Sequence, residues 1–146
     1  MTSPERQQYI IGVDLGGTNI VVGAMTMDGS QHLSMRSIPT QSSLGDEGVA
    51  NRIVTLVEQV ILDTIKETGI ARSDFIGVGV GAPGPLDRER GIVLVAPNLG
   101  WLNFPLRDRV HDRLGLPTTL DNDANCATFG EWWQGAARGD SSRMQR

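Results

Sequence analysis

The chain contains a single cysteine, Cys126, which excludes an internal disulfide and a cysteine-built metal site. Lysine is nearly missing as well: of 13 basic residues only Lys66 is lysine. The arginines are scattered among 17 acidic residues, and the net charge is −4. A phosphate backbone needs clustered Lys and Arg, so no nucleic-acid partner is expected. No apolar run is long enough to span a bilayer, which excludes a membrane helix. The opening MTSPERQQ lacks the basic-then-apolar layout of a signal peptide. A cytoplasmic location with no membrane partner is therefore expected. Repeats and low-complexity segments are also absent. With 39% hydrophobic and 21% charged residues over 146 positions, what remains is the composition of one ordinary globular domain with a core of its own.

Against this background the glycines stand out. GVDLGGTNIVVG (12–23) places Asp14, Gly16, Gly17, Thr18 and Asn19 inside an apolar, strand-like run. YIIGVDL (9–15), NIVVGAMTM (19–27) and QHLSMRSIPT (31–40) read as three strands joined by short polar turns, an antiparallel meander. Residues 49–69 carry Ile53, Leu56, Val57, Val60, Ile61 and Ile65 at three- and four-residue spacing, which predicts an amphipathic helix ended by Gly69. FIGVGVGAPG (75–84) is a fourth strand, and 86–101 is an excursion with a short strand at its centre. Leu106, Val110 and Leu114 mark a second helix over 104–116. PTTLDND (117–123) is a fifth strand, and 124–137 is a third helix. The order β-β-β-α-β-α-β-α predicts an α/β fold of ribonuclease-H-like plan, its meander extended by parallel strands that each need a crossover helix.

Three segments carry candidate chemistry. The first glycine pair is neither a Walker loop nor a dinucleotide fingerprint, because no G-K-[ST] follows and the next element is a strand. A tight glycine turn lets backbone N–H groups approach an anion, and the Thr18 hydroxyl adds a donor. Asp14 repels a phosphate unless a Mg²⁺, directly or through its water shell, lies between them. The bland reading of the same residues is a hairpin turn. The second segment, GVGVGAPGPL (77–86), puts Gly81 and Gly84 at a strand's carboxyl end, where open α/β sheets bind ligands. Close packing on a neighbouring helix would also explain them. The third, LDNDANCATFGEWW (120–133), gathers acids and amides where a strand meets a helix. Asp123 is either a helix N-cap or a general base kept ionised by the helix dipole, with Asp121 its rival and Asn122 placed to orient a hydroxyl.

The combination of D-L-G-G-T, G-A-P-G-P-L, P-N-L-G-W and D-N-D-A-N-C-A…G-E, in that order over residues 9 to about 139, resembles the ROK family of sugar kinases, glucokinases especially. The resemblance implies one lobe of an actin-like ATPase fold, ATP and Mg²⁺ as cofactors, and transfer of a phosphoryl group from ATP to a hexose, glucose first. Carried over by position, Asp14, Gly16, Gly17 and Thr18 match the phosphate turn, with Asp14 toward the metal. Gly81, Ala82 and Pro83 match the loop shaping the sugar pocket, and Asn98 lies in a segment near the sugar. Asn122 matches a sugar-bonding residue and Asp123, rather than Asp121, the catalytic base. Trp101 and Glu131 are expected to be structural.

The family's second phosphate motif, adenosine loop, sugar-gripping Glu and His, and zinc cysteines have no counterpart in these 146 residues. His32 and His111 are expected at the surface. The expected organisation is a tail (1–8), one ribonuclease-H-like lobe (9–137), and a tail or shortened linker (138–146). Such a lobe is expected to turn over little or not at all alone, and to self-associate through an exposed inter-lobe surface that includes Trp132 and Trp133. Two other readings are a non-catalytic sugar-binding or interaction module and the repressor branch of the family. The 13 residues ahead of Asp14 are too few for that branch's winged helix.

Overall fold

A computed structural model describes residues 7–28 and 30–122. Strands β1 (Tyr9–Leu15), β2 (Asn19–Thr26) and β3 (His32–Pro39) form the antiparallel meander. Helix α1 (Gly45–Thr68) crosses to β4 (Phe75–Ala82). The short strands β5 (Leu86–Asp87), β6 (Ile92–Ala96) and β7 (Trp101–Phe104) follow, then α2 (Leu106–Leu114) and β8 (Thr118–Asn122). The main sheet has the order β3-β2-β1-β4-β8, with β4 parallel to both β1 and β8. This is the expected ribonuclease-H-like arrangement, and each parallel addition is reached through a helix.

Alternation builds the core. Tyr9, Ile11, Val13 and Leu15 of β1, Val78 and Val80 of β4, and Leu120 of β8 are buried beside Ile53, Leu56, Val57, Val60 and Ile61 of α1 and Leu106, Val110 and Leu114 of α2. The helices stop where glycine was expected to stop them. The Gly69 amide donates to the Ile65 carbonyl and the Gly115 amide to that of His111, both at 2.8 Å. Helix α1 starts at Gly45 rather than at 49, because a 3-10 turn over Ser42–Leu44 winds directly into it.

Two sequence expectations need correction. The excursion that begins at residue 86 forms a separate three-stranded sheet, β5-β6-β7, rather than one central strand, and it runs past residue 101 to Phe104. Turns after Asp87 and Ala96 fold the chain back twice, which buries Trp101 edge-on to Phe104 with ring centroids 5.0 Å apart. Trp101 is a packing residue, as expected. His111 is exposed, but His32 is partly buried where β3 pairs with Met25 of β2, and desolvation lowers its pKa to about 4. The third helix (124–137), Asp123, Cys126, Glu131, Trp132, Trp133 and both expected tails, apart from Gln7 and Gln8, lie outside the described residues.

Candidate phosphate and sugar site

The three parallel strands end together. Asp14 of β1 is in register with Gly81 of β4, and Gly81 with Asp121 of β8. Side chains alternate along a strand, so this row faces away from α1 and α2, while Val13, Val80 and Leu120 of the preceding row are buried beneath those two helices. Gly81 contributes no side chain. The two aspartates therefore stand two strand spacings, roughly 10 Å, apart at the sheet's carboxyl edge, with the buried Gly81 between them.

Beside Asp14 the chain turns back through Gly16, Gly17 and Thr18. The Gly16 amide donates to the Asn19 carbonyl at 2.9 Å, which closes the turn. Thr40, fully buried, braces it from the end of β3: its hydroxyl donates to the Gly16 carbonyl and its amide to that of Thr18, both at 2.8 Å. Among the described residues the Gly17 and Thr18 amides have no partner, and both residues are exposed. These are the donors an anion would use. Nothing in the local pattern marked Thr40 as their support, because it acts from a different strand.

Gly17 also meets the PNLGW segment. A Cβ there would sit 3.3 Å from the Cβ of Asn98, so only glycine fits without displacing it. Asn98 is exposed in the turn between β6 and β7. Gly84 locks the GAPG loop to the same small sheet: its φ is +81°, and an added Cβ would lie 1.9 Å from the Val95 carbonyl oxygen. The Leu94 amide donates to the Pro85 carbonyl at 3.0 Å. The fold therefore brings the glycine turn, Gly81–Pro83 and Asn98 to one end of the sheet.

Asn122 pairs in register with Ala82, one step beyond the Asp14–Gly81–Asp121 row and on the alternate face. Asp121, the rival candidate base, is engaged elsewhere. Its Oδ1 accepts Arg88 Nη1 at 2.9 Å and the Asn122 amide at 2.8 Å. Asp14 reaches solvent, yet surrounding protein desolvates its carboxyl and raises its pKa. Among the described residues no three His, Cys, Asp or Glu side chains cluster as a metal cage. A hard carboxylate beside a turn of amides suits Mg²⁺, which commonly takes one or two carboxylates and completes its shell with water and phosphate oxygens.

The ROK family signature matches residues 10–144. The chain belongs to the ROK family. Its fold is the actin-like, ribonuclease-H-like one of the ROK sugar kinases it superimposes on. A glucokinase from Halalkalibacterium halodurans is 36% identical over 137 residues, which cover 94% of this chain and 40% of that protein. The structure of a ROK family glucokinase from Streptomyces griseus, in complex with glucose and AMPPNP, is 37% identical with a TM-score of 0.69. That match covers 90% of this ROK chain and 38% of the other. A xylose repressor from Caldicellulosiruptor bescii is 32% identical over 130 residues, 86% of this chain and 30% of the repressor. The ROK chain thus spans less than half the length of these relatives.

Proposed function

We propose that this chain is the N-terminal lobe of an ATP-dependent hexose kinase, with glucose as first substrate and glucose 6-phosphate as product. The observation that carries the reading is the meeting of an amide-lined turn, the Asp14 carboxylate and the Gly81 and Asn98 loops at one edge of the sheet. In this reading the lobe spans 9–137, between a tail (1–8) and a tail or shortened linker (138–146).

In this reading the Gly17 and Thr18 amides and the Thr18 hydroxyl hold phosphate oxygens of ATP. Asp14 would hold Mg²⁺, directly or through its water shell. When bound, Mg²⁺ neutralises charge on the phosphates. Gly81, Ala82 and Pro83 form one wall for the sugar, while Asn98 and Asn122 donate or accept hydrogen bonds at its hydroxyls. Asp123 takes the proton of the attacking hydroxyl as its oxygen bonds to the γ-phosphorus and ADP leaves. Positioning matters more than base strength in such a transfer, so an ordinary carboxylate suffices.

The likeness to a xylose repressor favours one further reading, in which sugar binds without phosphoryl transfer. NMR titration of the ¹⁵N-labelled chain with glucose and Mg·AMPPNP tests both. Glucose shifts near Ala82 and Asn98 together with nucleotide shifts at Gly16–Thr18 support the kinase. Sugar shifts without nucleotide shifts support the regulator, and no response at either place sinks the site.

A further inference from the structure

We infer that Arg88 is a positioning residue for the carboxyl end of β8, acting through Asp121. Arg88 lies in the turn between β5 and β6, and α2 anchors that turn. Arg107 donates from Nη1 to the Glu89 carbonyl at 3.0 Å, and its amide donates to the Gly91 carbonyl at 3.2 Å. The Asp87 carboxylate accepts the Arg90 amide at 3.1 Å, which closes the turn on itself. From this fixed base Arg88 reaches Asp121 at 2.9 Å, on the same oxygen that accepts the Asn122 amide. Arg88, Asp121 and Asn122 therefore form one chain of hydrogen bonds. It ties the small sheet, which carries Asn98, to the strand end that carries Asn122.

The pair also sets the charge of the site. Asp121 shares its face with Asp14 across the side-chain-free Gly81. Loss of the Arg88 charge makes this row more repulsive to an incoming polyphosphate. Among the described residues Arg88 pairs with Asp121, whereas no cation pairs with Asp14. Both partners are well exposed, at 57% and 38%, and exposed pairs add little to global stability. The effect of Arg88 is local order at Asn122 and phosphate affinity.

This inference rests on the kinase reading only for its effect on nucleotide, and the test separates the two. The ¹⁵N-labelled chain is compared with Arg88→Ala, Arg88→Lys and the double variant Arg88→Ala, Asp121→Asn. In Arg88→Ala the Asn122 amide is expected to shift and to exchange roughly tenfold faster, as at a frayed strand end, with the melting temperature unchanged. Arg88→Lys restores part of the protection, whereas a merely structural role would move the melting temperature as well. Mg·AMPPNP affinity falls about three- to tenfold in Arg88→Ala, and removing the Asp121 charge in the double variant restores it. An unmoved Asn122 amide overturns the positioning role. An unrestored affinity in the double variant overturns action through Asp121. If the unaltered chain binds no nucleotide, the kinase reading fails, and the Asn122 amide alone decides the role of Arg88.

Discussion

Gly84 combines a left-handed backbone with a van der Waals wall, since any Cβ would meet the Val95 carbonyl. Alanine there must strain the backbone and push β6 away, at a cost of about 2–4 kcal/mol. Urea unfolding of Gly84→Ala measures this, and an unchanged midpoint would refute the packing described. Asp14 makes the opposite case. Desolvation raises its pKa in the folded chain, so the folded state holds its proton more tightly than the unfolded one. Its contribution to stability falls as pH rises from the ordinary carboxylate value through the raised one. Asp14→Asn is expected to raise the urea midpoint at pH 7 and to remove Mg·AMPPNP binding. A midpoint that falls instead would mean that the carboxylate is structurally required. Asp14 was legible as a candidate from residue type alone, but its desolvation was not, because that depends on what the other strands bring around it.

Among the elements, α1 was the most legible, because its buried residues follow the three- and four-residue spacing of a helix face. Ile61 is fully buried whereas the adjacent Leu62 is 62% exposed. Ile61→Ala should cost about 2–5 kcal/mol and Leu62→Ala within about 0.5 kcal/mol, a contrast that denaturant curves would resolve. Equal costs would place the helix in another rotation. The small sheet was poorly legible, since β5 is two residues long and has no period to detect. His32 on β3 was expected at the surface. Its burial came from pairing with β2. With a folded pKa near 4 against an ordinary 6.5, the unfolded chain gains the proton first as pH falls. Stability associated with His32 is present above about pH 6.5 and lost progressively toward pH 4. Thermal melts from pH 7 to 4 should show a smaller loss in His32→Gln than in the unaltered chain, and parallel curves would rule the effect out.

At the scale of the whole molecule, phosphoryl transfer needs both substrates held and shielded from water. The described residues supply one sheet edge of the proposed site, and the chain spans about two fifths of its glucokinase relative. No ADP release above background is therefore expected from this chain with Mg·ATP and glucose. Turnover that Asp123→Asn abolishes would show that a single lobe suffices. The family itself was legible because its motifs are local strings of special residues. How the strings meet was not.

By itself the sequence determined the five strands of the main sheet, the two helices between them and their order. Backbone sterics and burial act over a few neighbouring residues, so glycine turns, alternating strands and the α1 stripe are written locally. The tertiary structure alone decided that Asp14, Gly81 and Asp121 share one row, that Thr40 braces the glycine turn, and that Asn98 stands against Gly17. It also decided that Arg88 occupies Asp121. Each of these joins residues far apart in the chain, and their alignment depends on strand register. Register follows from which strand faces are buried and from turn geometry, but which distant residues it sets side by side is decided only when the strands pack together.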